Sequence, residues 1–210
     1  MSSSLASQSQ RPKFFELISL FDSAVSRLLL RPTPADVTID SIRVLLLYIQ
    51  WMPCSQEDDD DSFLHGSKSG FAKSRYNDIS AWAVLGLAAR YSVFLGLERA
   101  ATGPFQQVPL SIMEDDMSRM RVWQNLLTCD CVFMIVSGLP ASLNPASATQ
   151  VAQPFVSHPS SQQPGDLRVT ALVGLVDITY RARRNCGDFS GRRLDALSLR
   201  KANTEFDDWE

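Results

Sequence analysis

Four cysteines, two histidines and a run of acids are the first residues to test for chemistry. Cys129 and Cys131 form a C-x-C pair inside an apolar stretch. On a helix, residues two apart point about 200° away from each other, so this pair cannot close on one metal ion. C-x-x-C does not occur, and His65 and His158 stand alone in polar segments. A structural zinc site needs four converging ligands, so no metal ligand is assigned and the thiols are read as small apolar side chains. Nucleophilic catalysis needs a nucleophile, a base and a group that orients the base. Neither histidine sits in such a motif. G-x-S-x-G, a glycine-rich phosphate loop and a dinucleotide fingerprint are missing as well. No catalytic and no cofactor-binding residue is assigned, and the chain is expected not to be an enzyme. The acids at Asp58–Asp61 lack calcium-loop spacing and read as a solvated run. Beside Phe63 and Leu64 they also fit an acidic-hydrophobic activation patch.

Two further sets of charges stand out. Arginines 181, 183, 184, 192 and 193 cluster near the C-terminus. Such a cluster meets phosphates, or it caps a helix C-terminus and solvates a face, with Asp22, Asp188 and Asp195 available to balance it. Asp130 falls in the apolar stripe formed by Trp123, Leu127 and Met134. A carboxylate there is costly unless it is partnered. Arg90, among Ala88, Ala89 and Tyr91, is the expected partner, in an Asp130–Arg90 pair that fixes how two helices dock.

The elements that must position these residues are helical. Of 210 residues 45% are hydrophobic and 20% charged, which is enough apolar side chain to bury a core. The net charge of −3 gives none of the basic excess expected of a free-standing nucleic-acid binder. The first ten residues lack the basic start and apolar core of a secretory signal. The longest apolar runs, Val44 to Ile49 and Cys131 to Val136, are far too short to cross a bilayer. Reduced thiols in an intracellular protein are therefore expected, with no membrane partner.

Residues 1–11 are expected to be disordered, and 12–210 to form one incomplete helical domain. Six helices can be read from periodicity and breakers: Pro12–Leu30, Thr38 or Asp40 to Met52, Ile79–Glu98, one from a cap at Ser111 to Ser137, Leu167–Asn185 and Ser190–Trp209. The first carries a stripe of Phe14, Ile18, Phe21, Val25 and Leu28, and the second one of Ile42, Leu45, Leu46 and Ile49. Ala83, Gly86 and Ala88 are small enough to admit a close helix. Gly103, Pro104 and Pro109 mark a loop. Ser111 and Glu114 have capping-box spacing, and Gly138 suits a left-handed helix end. Residues 54–77 read as a mobile polar loop and 138–165 as a long irregular connection. The last helix is loosely apolar at Leu194, Leu197, Ala202, Phe206 and Trp209. The fold class is all-α, a multi-helix bundle-like domain with long polar loops and antiparallel neighbours.

The segment AWAVLGLAARYSVFLGLERA (Ala81–Ala100), followed by EDDMSRMRVWQNLLTCDCVFMIVSGLPASLNP (Glu114–Pro145), resembles the fungal-specific transcription factor domain. This is the middle homology region of fungal binuclear zinc-cluster activators. Trp82, Gly86, Ala88, Arg90, Leu95, Gly96 and Leu97 match its first helix motif, and Arg119, Arg121, Trp123 and Asp130 match its second. Ser137-Gly138-Leu139-Pro140 departs from the pattern, lacking the arginine usual in that turn. Residues 38–145 carry the clearest match, and the motif positions are Trp82, Gly86, Arg90, Gly96, Arg121, Trp123 and Asp130. The resemblance implies an all-α regulatory domain of a nuclear transcription factor that controls RNA polymerase II transcription. Its expected partners are transcriptional co-regulators or a small-molecule effector, with homodimerisation left open. DNA would be read only by a separate six-cysteine cluster, and zinc would be that cluster's cofactor. The alternative is a free-standing helical interaction adaptor. Trp82, Tyr91, Trp123 and Phe133 would line an inter-helix pocket or, as aromatics at helical spacing usually do, simply fill the core.

Overall fold

The protein is all-α in the computed structural model, which describes residues 16, 19–51, 79–106, 112–162, 164–185 and 196–209. Helix α1 covers residues 19–30. A 3-10 turn at Pro34–Asp36 leads into α2 (Ile39–Trp51). After it come α3 (Ile79–Phe94), α4 (Leu97–Gln106) and α5 (Glu114–Ser137). Then follow the short α6 (Ala146–Gln150) and α7 (Ala152–Val156), and the longer α8 (Gly165–Asn185) and α9 (Ala196–Trp209). The expected loop at 54–77 and disordered tail at 1–11 lie outside the described residues, as do Phe14, Ile18, Ser111, Leu194 and Arg192 and Arg193. No single helix among the described residues is long and apolar enough to cross a membrane.

Helix α5 is the axis of the molecule. Met117, Met120, Val122, Leu126, Leu127, Phe133 and Met134 are all buried, and they lie on every side of it. A helix apolar all round must be surrounded, and α2, α3, α4 and α8 pack against it. The start of α5 differs from the expected capping box. Met113 is its N-cap, and the Asp116 carboxylate accepts the Met113 N–H at 3.0 Å. The far end is as expected: Gly138 adopts φ 78°, and its N–H reaches the Met134 carbonyl at 3.1 Å.

Helix α2 buries Ile42, Leu45, Leu46 and Ile49, the four residues that mark its stripe in the sequence. On α1, Val25 and Leu28 are buried while Phe21 is exposed. Asp36 joins α1 to the turn. Its carboxylate accepts the Thr33 hydroxyl at 2.6 Å and the Arg27 guanidinium at 2.8 Å. These bonds, Thr33 first, hold its carboxyl at about 2, below the usual carboxylate range.

The helix predicted over 79–98 is two helices. Gly96 takes φ 58°, closes α3 with its N–H on the Val93 carbonyl and opens α4 with its own carbonyl on Ala100. The chain turns by 57° there. A glycine does this without the Cβ clash that other residues meet at positive φ. Gly103 and Pro104, read as loop, lie inside α4 near its end. Proline there deprives only the Ala100 carbonyl of a partner, and burial of Phe105 edge-on to Phe155, ring centroids 5.6 Å apart, holds the segment in place.

The expectation of antiparallel neighbours holds at two interfaces and fails at two. Tyr48 donates to Asp22, and Arg181 pairs with Glu205 while Trp209 donates to the Ala171 carbonyl, so α1/α2 and α8/α9 run antiparallel. Between α5 and α8 the pairs are Arg121–Asp166, Gln124–Thr170, Cys131–Val176 and Arg183–Gly138. Both residue numbers rise together, so these helices are parallel. Arg43–Ser118 and Gln50–Cys129 give the same order for α2 and α5. A parallel pair needs the chain to travel back along about 25 Å of α5 between residues 121 and 138. The connection at 138–165, read as irregular, makes that return and contains α6 and α7.

Candidate ligand cleft around Trp123

Asp130 does not pair with Arg90. It is 5% exposed, and one carboxylate oxygen accepts the Ser142 N–H at 2.7 Å and the Leu143 N–H at 2.9 Å. The expected cost of a buried carboxylate is met by backbone donors on the returning chain, so Asp130 anchors a loop where a helix–helix pair was expected. Burial pushes its carboxyl above the usual range, and the two backbone bonds offset part of that rise. Arg90 is exposed, and its guanidinium lies against Gly86. Gly86 admits no second helix. The closest atom to a Cβ placed there is the Arg90 Nη1, 3.7 Å away.

The anchored loop forms a wall of two clefts. The larger, about 1010 Å³, lies between the α3–α4 bend, α5, the loop and α6. Gly96, Arg99, Thr102, Trp123, Ser142 and Ser147 are among its lining residues. Trp123 is 2% exposed, yet its indole N–H has no acceptor. The Ser147 hydroxyl is also buried without a partner. Buried polar groups are paired in the great majority of cases, so each exception calls for an explanation. Here the two exceptions belong to residues that line one cleft, while the atoms themselves are closed to solvent. Ser92 and Thr102 on the same cleft donate their hydroxyl protons to the Ala89 and Glu98 carbonyls, at 2.7 and 2.9 Å, leaving lone pairs able to accept.

The smaller groove, about 710 Å³, runs along the outer face of α3. Trp82, Gly86, Arg90, Val93 and Phe94 line it, and Ser142 and Leu143 close one side. Trp82 is 45% exposed and Phe94 75%. Of the four aromatics read as either pocket lining or core, with core the usual case, Tyr91 and Phe133 are core residues, Trp123 lines the larger cleft and Trp82 the smaller.

The motif residues thus separate by role. Gly96 and Trp123 line the main cleft and Asp130 holds its wall, while Trp82, Gly86 and Arg90 border the outer groove. Arg121 lies elsewhere, tied to Asp166, to Glu114 at 2.8 Å and to the Ser160 carbonyl at 3.1 Å. Asp166 and Ser147 escape the sequence reading, whereas Arg183 belongs to the arginine cluster that it singled out. Arg183 donates from α8 to the Met134 carbonyl at 2.9 Å and to the Gly138 carbonyl. Helix-end capping therefore describes Arg183 better than phosphate binding does, and it brings an arginine to the turn that lacks one in its own sequence.

Cys129 and Cys131 point to different sides of α5, as the spacing requires. Cys131 packs with Met134 and Val176, and Cys129 lies beside Gln50. No group of three or more potential metal ligands occurs among the described residues. Burial pushes the Cys129 thiol to about 11 and the Cys131 thiol to about 12. Thiolate is the reactive form, so neither thiol should be alkylated by iodoacetamide at pH 8 in the folded protein, while both should react in denaturant. Peptide mass spectrometry that finds either one modified in the native state would contradict the burial described here. Comparison with protein-family models, with curated proteins and with solved structures finds no match to the chain.

Proposed function

We propose that the chain is the regulatory domain of a fungal zinc-cluster-type transcription factor. It acts in the nucleus on RNA polymerase II transcription, through an effector or co-regulator, and does not read DNA itself. The family assignment rests on the motif residues between Ala81 and Pro145. One observation carries the regulatory half: the cleft around Trp123 is built where the two motif-bearing segments meet, and its lining mixes apolar residues with Ser92, Thr102, Asn144 and Ser147. A cleft at a helix junction with a few convergent polar groups is the usual form of a small-molecule site. Zinc, on this reading, belongs to a six-cysteine cluster that this sequence does not contain.

The test is a fusion of residues 1–210 to a bacterial repressor DNA-binding domain, assayed on a yeast reporter. Output should differ from that of the DNA-binding domain alone, and Ser147→Ala should change it further at equal protein level. Output identical to the bare DNA-binding domain under varied nutrients would sink the regulatory reading. The exposed Trp82, Val93 and Phe94 favour a second reading, a helical interaction adaptor without a DNA-binding parent. An apolar surface of that kind marks a protein contact when it is contiguous. Gene sequence upstream of Met1 separates the two, because an in-frame basic six-cysteine segment belongs only to the first.

A further inference from the structure

We propose that the outer groove on α3 is a docking site for an amphipathic helix of a partner protein, one that sets a carboxylate between two apolar anchors. The inference does not depend on the cleft around Trp123. It names the partner's chemistry for a co-regulator and for the partner of an adaptor alike. Trp82, Gly86, Arg90 and Val93 stand at i, i+4, i+8 and i+11, which is one face of α3. Phe94 flanks the far end, and the stripe from Trp82 to Phe94 rises about 18 Å, roughly three turns of helix. Leu29 of α1 joins the lining and is 39% exposed. Val93 and Phe94 stand almost clear of the rest of the chain, 72% and 75% exposed. Exposed apolar side chains that share one groove mark a contact surface, as scattered ones do not.

Charge decides the occupant. The lining carries one formal charge, Arg90, in a chain whose net charge is −3. Arg27, Arg119, Arg121 and Arg181 all pair with acids, but Arg90 has no ion pair or hydrogen bond among the described residues. Its Nη1 lies 3.7 Å from a Cβ placed on Gly86, so the guanidinium folds back over the stripe, between Trp82 and Phe94. A second copy seated here about a two-fold axis would bring its own Arg90 to the same seam, like charge against like. An anionic membrane surface is held by several basic residues, and the groove has one. The apolar face of a helix fills a groove of this length. The order on α3 is apolar, cation, apolar. The partner therefore needs an apolar anchor, a carboxylate about 6 Å further on and a second anchor about 10 Å beyond that. On a helix those are positions i, i+4 and i+11, or i, i+7 and i+11 when the chain runs the other way.

The experiment uses the whole chain labelled with 15N and follows the assigned indole N–H resonance of Trp82. The probe is a capped alanine–glutamine helix with leucine at i and i+11 and glutamate at i+4 and i+7. Its twins carry glutamine or lysine in place of both glutamates, or move both glutamates to the opposite face. At about 20 mM salt, where screening is weak, the glutamate peptide should shift Trp82 saturably. It should bind about 2- to 5-fold more tightly than the glutamine and moved-glutamate twins, the range an exposed ion pair gives, and the lysine twin should be weakest. Arg90→Gln should abolish that preference and leave the glutamine twin unchanged. Phe94→Ala should weaken all four peptides about 5-fold or more and keep the preference. Both side chains are exposed, so neither variant disturbs the core. Equal binding of the glutamate and lysine peptides would mean an apolar surface only and would overturn the proposal. A preference that survives Arg90→Gln would overturn it by placing the cation elsewhere. Sedimentation showing a dimer that Phe94→Ala dissociates would overturn it in favour of a second copy. So would tighter binding of sodium decanoate than of the glutamate peptide, in favour of a fatty carboxylate. No shift of Trp82 with any peptide at millimolar concentration would show that the groove takes no such helix. A silent reporter fusion leaves this result standing, because the peptide is read directly on the groove.

Discussion

Asp166→Ala should be among the most destabilising charge removals in the described part of the protein, lowering the free energy of unfolding by about 3 kcal/mol, at the lower end of what breaking a buried ion pair costs. Asp166 is 4% exposed. Its carboxylate meets the Arg121 Nε and Nη2 at 3.0 Å each, and it also accepts the Gln162 N–H at 2.6 Å. Without it, a guanidinium that is only 19% exposed keeps Glu114 and a carbonyl but loses its buried counter-charge. The lower end applies because Arg121 retains those contacts and some water. Asp166→Asn should cost less, since an amide still accepts from Gln162. Glu114→Ala should cost under about 1 kcal/mol, as exposed ion pairs do, because the Glu114 side chain is 65% exposed. Urea denaturation of the three variants checks the order. Asp166→Ala within about 0.5 kcal/mol of the parent, the range of ordinary surface changes, would show that the pair does not hold α8 to α5.

The same pair shows which parts of the fold were legible in the sequence. Periodicity alone located α2 and its buried face, because Ile42, Leu45, Leu46 and Ile49 repeat at helical spacing over one short segment. The left-handed end at Gly138 was readable because it depends on one residue and its neighbours. What periodicity could not give was direction. Whether α8 runs with α5 or against it depends on contacts 45 residues apart in the chain, such as Arg121 with Asp166. Length did offer a clue, since a connection of the size of 138–165 is more than an antiparallel pair needs. The bend at Gly96 was hidden for another reason. Apolar spacing continues through it, and only the positive φ of one glycine separates α3 from α4.

The candidate cleft was legible in part. Trp123 stood out among four aromatics, but nothing local distinguished it from the core residues Tyr91 and Phe133. The difference is an indole N–H without an acceptor, and that depends on which groups surround it in space. Asp130 was conspicuous for being charged in an apolar stripe. Gln124 gave no such signal, because it lies about 100° round the helix from Trp123, yet it is fully buried against Thr170. The partner expected for Asp130 was a side chain, because side-chain charges can be counted in a sequence and loop N–H groups cannot.

Two substitutions at Asp130 should therefore part company. Asp130→Ala removes the acceptor of the Ser142 and Leu143 N–H groups and should cost about 2–4 kcal/mol, since each buried donor left unmet costs about 1–3 kcal/mol. Asp130→Asn keeps an oxygen able to accept both bonds and has no charge to bury, so it should be close to neutral at low pH. The sign of the pH dependence follows from the direction of the shift. The folded protein holds the Asp130 proton more tightly than the unfolded chain does. The stability this gives is fully present below the unfolded value of 3.8 and is lost as pH rises through the higher folded value. Relative to the parent, Asp130→Asn should therefore gain stability as pH rises from 3.8 upward, while Asp130→Ala remains the less stable of the two throughout. Thermal melts of the three proteins between pH 4 and pH 7 test this. If Asp130→Asn proves as damaging as Asp130→Ala, the ionised carboxylate is itself required and the loop-anchor account fails. Because Ser142 and Leu143 line both clefts, Asp130→Ala should also broaden or shift the Trp123 indole resonance and Asp130→Asn should leave it in place, which connects the stability of this one loop to the shape of the ligand cleft.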